Sequence, residues 1–266
     1  MHPWCTPGHG GLVPEDRELV LIFPWNDSEA FEELVTEHPD EIAALILTPF
    51  HHPAFGNSIL PAPGFLKKLE TICRRRGIVL VLDDVRAGFR LHLGGSHRLF
   101  GFEPDLICFS KAIANGYALS ATLGREELKR AAGKVFLTGS FWNGAASMMA
   151  ALACLAILER EKVVDRLATM GSMLVNGLVA GAKKHGLEVI CSGPPAMPFL
   201  TFADETNFFR SQCFSAAAAE RGVFFHPHHN WFLSAAHRPR DIEEALIAAD
   251  YGFERVAEQF GDGKKG

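Results

Sequence analysis

The sequence has few of the features that mark secreted, membrane or nucleic-acid-binding proteins. Six cysteines are scattered through 266 residues with no Cys-x-x-Cys pair, so neither a disulfide framework nor a ribbon-type zinc site is indicated. The formal net charge is -5, and nucleic acids or anionic membranes attract basic surfaces instead. The longest apolar stretch, residues 145–158, is too short to cross a bilayer. We therefore expect a cytoplasmic protein with reduced thiols that binds neither membranes nor nucleic acid.

What the sequence does contain predicts an α/β protein. Hydrophobic residues make up 48% of the chain, which is ample for a large core. Short apolar runs alternate with helical patterns in the first half, as in a βαβ series with a mainly parallel sheet. The predicted strands are residues 19–23, 43–47, 78–82, 106–109 and 118–123, and the predicted helices between them are residues 28–37 and 65–76.

The second half of the sequence predicts two long helices followed by a small mixed domain. Asn143 can cap a helix over residues 145–159, and a second helical pattern covers residues 163–184. Further strands are predicted at residues 187–191, 199–202, 223–225 and 231–234, and further helices at residues 207–221 and 241–258. We expect a large domain over residues 1–160, and a connecting helix with a small C-terminal α+β domain over residues 161–266.

The predicted strand over residues 78–82 runs directly into two carboxylates in the sequence IVLVLDDVRAGFR. Side chains alternate along a strand, so Asp83 and Val85 point to one face and Asp84 to the other. At the carboxyl end of a parallel strand, one face opens into the crevice where α/β folds bind ligands. Asp83 could meet a cationic ring nitrogen there, although for this stretch alone a helix cap or turn carboxylate is the simpler alternative.

Lys111 follows the next predicted parallel strand in the sequence DLICFSKAIANG. Parallel strands end on the same side of a sheet, so Lys111 and Asp83 can converge on one crevice. A lysine there can form a Schiff base with a carbonyl, whereas a solvated surface lysine is the simpler alternative. The pair together indicates a site more strongly than either residue alone.

The block from Val79 to Gly116 resembles the core of the class III aminotransferases, which are fold-type I enzymes that use pyridoxal phosphate, and most closely the glutamate semialdehyde aminomutase group. In that family a strand ends in Asp-Glu-Val with Gly-Phe-Arg following, and a Pro-Asp-Leu strand leads to the lysine that carries the cofactor. The matching positions here are Asp83-Asp84-Val85, Gly88-Phe89-Arg90, Pro104-Asp105-Leu106 and Lys111. The resemblance extends over nearly the whole chain.

The resemblance implies a role for four residues. By position, Asp83 pairs with the pyridinium nitrogen, Val85 packs on the ring, and Lys111 carries the cofactor. Ser140 matches a hydroxyl that binds the cofactor phosphate from across a dimer, although a loop hydroxyl bonded to its own backbone would look the same in sequence. The implied reaction is amino-group transfer, by an aminotransferase or an aminomutase, on a small amino or oxo acid.

The resemblance also implies that the family's N-terminal portion is absent upstream of Met1. That portion carries the phosphate-binding loop, a residue that stacks on the cofactor ring, and the first strands of the large sheet. We therefore expect a truncated large domain and impaired activity in the isolated chain, with a homodimer or a partner chain supplying the rest. A noncatalytic subunit or degenerate remnant of the family is the alternative function, and another fold-type I reaction such as decarboxylation is a third.

Two smaller patterns do not indicate sites. His226, His228 and His229 could suggest a metal, but their spacing fits no helical or ribbon-type zinc pattern, and no metal is predicted. The sequence Gly94-Gly95-Ser96 is not a phosphate-binding fingerprint, because neither a lysine nor the required glycine spacing follows it.

Overall fold

The computed structural model describes residues 10–11, 13–53, 56–142, 144–203 and 205–261. The chain separates into two compact units. The first unit comprises residues 1–51 and 60–164, and the second comprises residues 52–59 and 165–266.

A four-stranded sheet forms the centre of the first unit. Its strands are β1 (Ala44–Leu47), β2 (Val79–Asp83), β3 (Leu106–Phe109) and β4 (Ala121–Gly124), and they lie in that order. The β1–β2 and β2–β3 pairs are parallel, and only β4 is antiparallel to its neighbour. The mainly parallel sheet predicted from the alternating pattern is therefore confirmed.

Helices α2 (Ser28–Glu37) and α3 (Phe65–Arg76) contribute to the core against one face of this sheet. Asp27 begins α2 by accepting a hydrogen bond from the Ala30 amide at 2.9 Å. Gly77 ends α3 in the left-handed region, where glycine carries no steric penalty. The core between these helices and the sheet contains Phe31, Val35, Phe65, Leu66, Leu69, Ile72, Leu45, Leu80 and Leu82.

Short helices and α6 complete the first unit. The short ones are α1 (Pro14–Glu18), α4 (His97–Phe100) and α5 (Lys129–Ala132). The sixteen-residue α6 (Ala145–Arg160) is apolar around its circumference, yet only Ala151 is buried. The predicted cap Asn143 lies outside the described residues, and Gly144 occupies the N-cap position of α6.

The second unit contains three helices and a two-stranded sheet in its described residues. Strands β5 (Val189–Ser192) and β6 (Phe199–Phe202) pair antiparallel, and α8 (Phe209–Glu220) packs against α9 (Pro239–Phe260). Helix α7 (Val163–Lys184) is long and apolar enough to cross a membrane by length and composition alone. Its buried hydrophobic residues form a single stripe, as in an amphipathic helix that packs one face against a core: Val163, Leu167, Met170, Leu174, Leu178 and Ala182.

Three predicted strands are wrong. Residues 19–23 form no strand, because Leu19, Leu21 and Ile22 stay exposed and no other described strand pairs with them. Residues 223–225 and 231–234 also form no strand. The amides of Trp231 and Leu233 donate to carbonyls at residues 198 and 196, which gives two isolated bonds.

Gly171 in α7 provides a stability test, since a Cβ there would lie 1.9 Å from the Pro195 carbonyl oxygen. Alanine normally stabilises a helix interior relative to glycine by about 1 kcal/mol. We expect Gly171→Ala to destabilise the chain by about 3 kcal/mol or more instead, because rigid backbone must move. Gly181→Ala in the same helix is the control, as its Cβ would meet only the Phe253 ring, at 3.3 Å. Urea unfolding measures both, and equal stability in the two variants would contradict the predicted clash.

Candidate cofactor-binding site

Asp83 is the last residue of β2 and lies on the less covered face of the sheet. Burial alternates along the strand, with Val79, Val81 and Asp83 half-buried and the intervening leucines buried. Asp84 continues the buried face and is 0% exposed. The two carboxylates therefore lie on opposite faces of the sheet, as the alternation predicts.

Two neighbours restrain the Asp83 carboxylate. Its Oδ1 accepts a hydrogen bond from the Val85 amide at 3.1 Å, which turns the chain sharply after β2. Burial lowers the pKa of the nearby Arg86 guanidinium, and the Asp83 charge opposes part of that lowering. Val85 itself is half-buried beside this turn. Asp83 is thus an oriented carboxylate at the carboxyl edge of the sheet.

Lys111 begins a short 3-10 turn over residues 111–113, directly after β3. Its backbone lies in the left-handed region with φ of 50°, a conformation that non-glycine residues adopt rarely and often at functional sites. The turn is tied down on both sides. The Ser110 hydroxyl donates to the Leu119 carbonyl at 2.9 Å, and the Cys154 thiol of α6 donates to the Ala112 carbonyl at 3.4 Å.

The strand register brings Asp83 and Lys111 to the same edge. Asp83 pairs with Cys108 in the parallel β2–β3 ladder, and Lys111 follows Cys108 by three residues. Both side chains therefore leave the sheet at its carboxyl edge, from adjacent strands. The arrangement fits a pyridoxal ring in chemical terms, because it offers a carboxylate for the ring nitrogen, an amine for the aldehyde and an aliphatic side chain for the ring face.

Ser140 lies apart from this edge within the same chain. It is exposed in a turn before α6, whereas Cys154, later in α6, contacts the Lys111 turn. A helix rises 1.5 Å per residue, so the first residue of α6 lies roughly 13 Å from Cys154 along the axis. The fold of one chain does not bring Ser140 to Asp83 and Lys111 through any contact among the described residues.

Asp105, in the Pro-Asp-Leu motif, has a structural role that the sequence did not reveal. One carboxylate oxygen accepts from the Leu80 amide at 2.8 Å and the other accepts from Arg125 at 2.7 Å. Asp105 therefore extends the β2–β3 pairing beyond the strand and connects it to the end of β4. This connection fixes the start of the strand that leads to Lys111.

Ser96 is the second residue that the sequence did not single out. Its amide donates to Asp84 Oδ2 at 2.8 Å and its hydroxyl donates to Asp84 Oδ1. Both residues are 0% exposed. The Gly-Gly-Ser sequence, which has no phosphate fingerprint, thus places a hydroxyl and an amide against a buried carboxylate. Only the tertiary fold brings Asp84 and Ser96 together, so their spacing in the sequence did not predict the contact.

The histidine-rich segment shows ring contacts and no metal-binding geometry. The ring of His226 lies 6.2 Å from that of His228 and 5.9 Å from that of His229, measured between centroids. Across the described ranges, no group of three His, Cys, Asp or Glu side chains could hold a metal ion.

Asp84→Asn tests the electrostatic cost of the buried carboxylate. Burial raises the pKa of Asp84 from 3.8 to about 6, although the hydrogen bonds from Ser96 oppose the rise. Because the folded-state pKa is raised, Asp84 contributes stability below pH 4 that is lost as the pH rises through 6. That loss amounts to about 3 kcal/mol at 1.36 kcal/mol per pKa unit. Asparagine is uncharged, and its amide oxygen can accept from the Ser96 amide while its NH2 group donates to the Ser96 hydroxyl oxygen.

We therefore expect Asp84→Asn to be more stable than the parent chain at pH 8, by up to about 3 kcal/mol, and similar to it at pH 4. Urea unfolding at both pH values measures the difference. A variant less stable than the parent at pH 8 would contradict the expectation and show that the charge of Asp84 stabilises the fold.

Comparison with known proteins identifies related sequences. The family model described as Aminotransferase class-III matches residues 22–245. An aminopentol aminotransferase from Sphingopyxis macrogoltabida is 40% identical over 258 residues, covering 97% of this chain and 61% of that protein. A glutamate-1-semialdehyde 2,1-aminomutase from Thermomicrobium roseum is 33% identical over 268 residues, covering 94% of this chain and 61% of that protein.

A solved structure supports the fold directly. The FumI protein of Sphingopyxis sp. MTA144, determined in its pyridoxal-phosphate internal aldimine form, superposes with a TM-score of 0.94 at 39% identity. The match covers 98% of this chain and 63% of that chain, so the present chain spans less than two thirds of its relative. The fold is that of the fold-type I pyridoxal-phosphate transferases, and the predicted cofactor is the one on which the family depends. The chain belongs to the class III aminotransferase family.

Proposed function

We propose that this chain provides part of an enzyme that transfers amino groups with pyridoxal phosphate, between a small amino donor and an oxo acceptor or within one such molecule. The observation that carries the proposal is the convergence of Asp83 and Lys111 at the carboxyl edge of β2 and β3. The names of two relatives, an aminotransferase and an aminomutase, support both forms of the reaction.

Each proposed site residue has a separate task. When bound, pyridoxal phosphate supplies a ring that accepts the electron pair of a substrate carbanion. The Asp83 carboxylate holds a proton on the ring nitrogen through an ion pair, and Val85 covers one ring face. Lys111 would supply the amine that binds the cofactor aldehyde, and once the substrate amine has displaced it, the free Lys111 Nζ would be placed to carry a proton to and from the substrate carbon.

We propose a homodimer in which Ser140 serves the phosphate of the neighbouring subunit. The segment around Ser140 exposes large apolar side chains, which favour burial in an interface. Phe136 is 89% and Phe141 is 93% exposed. The exposed side of α6 continues this surface with Met149 and Leu152. The separation of Ser140 from the Lys111 turn along α6 supports a role across the interface rather than within one chain.

The domain roles and the compartment are also proposals. Residues 1–160 would form the remaining part of a large cofactor-binding domain and residues 161–266 the connecting helix and small domain, and the division into two compact units supports this arrangement. A cytoplasmic location is supported by the cysteines in the described ranges, which are all free. Burial raises the pKa of the Cys73 thiol to about 12 and that of Cys191 to about 11, which disfavours the reactive thiolate.

Covalent trapping tests the role of Lys111. Borohydride reduction of the chain with pyridoxal phosphate, followed by peptide mass mapping, should place the label on Lys111, since it is the lysine beside the Asp83 edge. Lys134 in the same unit is the matched comparison, because it does not follow a strand of the sheet. A label on Lys134 or another lysine, with Lys111 unmodified, would remove Lys111 from the site.

Cofactor affinity tests whether segments of the longer relatives that lie outside the matched region contribute to the site. Each charge-assisted contact to a phosphate contributes roughly 1.5 to 3 kcal/mol, so lacking two would weaken binding by about 100-fold or more. We expect the 266-residue chain to bind pyridoxal phosphate weakly and to turn over amino donors slowly. Adding the corresponding segment of a relative, fused or as a separate polypeptide, should raise both.

The measurements are a visible-absorbance titration with cofactor and an amino-transfer assay, each with and without that segment. Tight binding and fast turnover by the 266-residue chain alone would show that its phosphate site is already complete. Tight binding without turnover in either form would favour a noncatalytic subunit.

A further inference from the structure

Asp84 closes a loop between β2 and α4. Its carboxylate accepts the amide and hydroxyl hydrogens of Ser96, and these two contacts join residues twelve positions apart in a fully buried environment. A hydrogen bond to a charged group is stronger than one between neutral groups, so the closure is firm. We call residues 84–96 the carboxylate loop.

The backbone of Asp84 attaches this loop to the neighbouring strand. Its amide donates to the Cys108 carbonyl at 3.0 Å, and its carbonyl accepts from the Gly88 amide at 2.8 Å. All three polar parts of Asp84 are therefore engaged, with β3, with the turn after β2 and with Ser96. Asp84 is the residue at which the β2 end, the β3 end and the carboxylate loop meet.

The carboxylate loop also packs around Phe109. A Cβ at Gly88 would lie 2.6 Å from the Phe109 ring, and one at Gly95 would lie 3.2 Å from it. The ring of Phe89 lies 4.7 Å from that of Phe109 between centroids. Phe109 is the last residue of β3, two positions before Lys111. The loop therefore holds the strand end from which Lys111 emerges.

We propose that the Asp84–Ser96 pair is a positioning element of the active site, which sets Asp83 and Lys111 relative to each other. Asp83 is covalently adjacent to Asp84, and Lys111 follows the ring that the loop encloses. Breaking the pair loosens the carboxyl ends of β2 and β3 together, while the rest of the sheet and its packing against α2 and α3 stay intact. This inference rests on the proposed function, because it concerns how the residues of that site are held.

Hydrogen exchange tests the mechanical part of the proposal without cofactor. Ser96→Ala removes the hydroxyl contact with Asp84. Because one hydrogen bond to a charged group is lost, we expect amide exchange to become about tenfold faster, both in residues 84–97 and in the Lys111 turn. Val35→Ala in the α2 core is the control for general destabilisation. Asp84→Asn should lose less protection than Ser96→Ala, because its amide oxygen can still accept from the Ser96 amide and its NH2 group can donate to the Ser96 hydroxyl oxygen. Faster exchange confined to residues 84–97 would overturn the coupling to Lys111.

Cofactor titration tests the functional part. Ser96→Ala should raise the apparent Kd for pyridoxal phosphate about tenfold relative to a Val35→Ala variant of matched stability, and Asp84→Asn should raise it less than Ser96→Ala does. Equal Kd values for Ser96→Ala and Val35→Ala would show a merely structural role and overturn the inference. No detectable binding at millimolar cofactor, by the parent chain either alone or with the added segment of a relative, would instead overturn the proposed function, and the inference with it.

Discussion

The parallel pairing of β2 with β3 is the constraint on which the candidate site depends. Its register sets Asp83 beside Cys108, and from this follow the shared edge of Asp83 and Lys111 and the position of the turn after β3. A shift of one residue would turn Asp83 into the core and Asp84 outward. Asp105 opposes such a shift, because it accepts the Leu80 amide just beyond the ladder. The site is thus specified by backbone pairing before any side chain of the site makes a contact.

The buried carboxylate of Asp84 explains why the segment after β2 makes so many hydrogen bonds to this residue. A charge without solvent is unfavourable unless polar groups surround it, and Ser96 supplies two donors where the sequence offers a glycine-rich turn. The raised pKa of Asp84 shows that these donors offset only part of the desolvation. A residual cost of this kind is common where a fold holds functional groups in a fixed arrangement.

Sequence reasoning predicted the sheet, most helices and the opposite phases of Asp83 and Asp84, because each follows from local periodicity. Helix α3 is bounded by Gly64 and Gly77, and its limits could be predicted from those residues alone. Residues 19–23 show where this reasoning fails, since an apolar run forms a strand only if another strand lies beside it. The Asp84–Ser96 contact could not be predicted from the sequence either, because it depends on the tertiary fold of the loop between them.

The two faces of β2 have different roles, because one packs into the core and the other carries the candidate site. Leu80, Leu82 and Asp84 point into the core, whereas Val81 and Asp83 lie on the face that remains half-buried. A planar ligand needs open space over a carboxylate and an aliphatic side chain, and only the second face offers it. Substitutions on the first face therefore act on the site through the fold, as Asp84 does through Ser96. In the proposed site, substitutions at Asp83 would act on the ligand directly, so we expect two adjacent aspartates to have separable effects because a strand alternates its side chains.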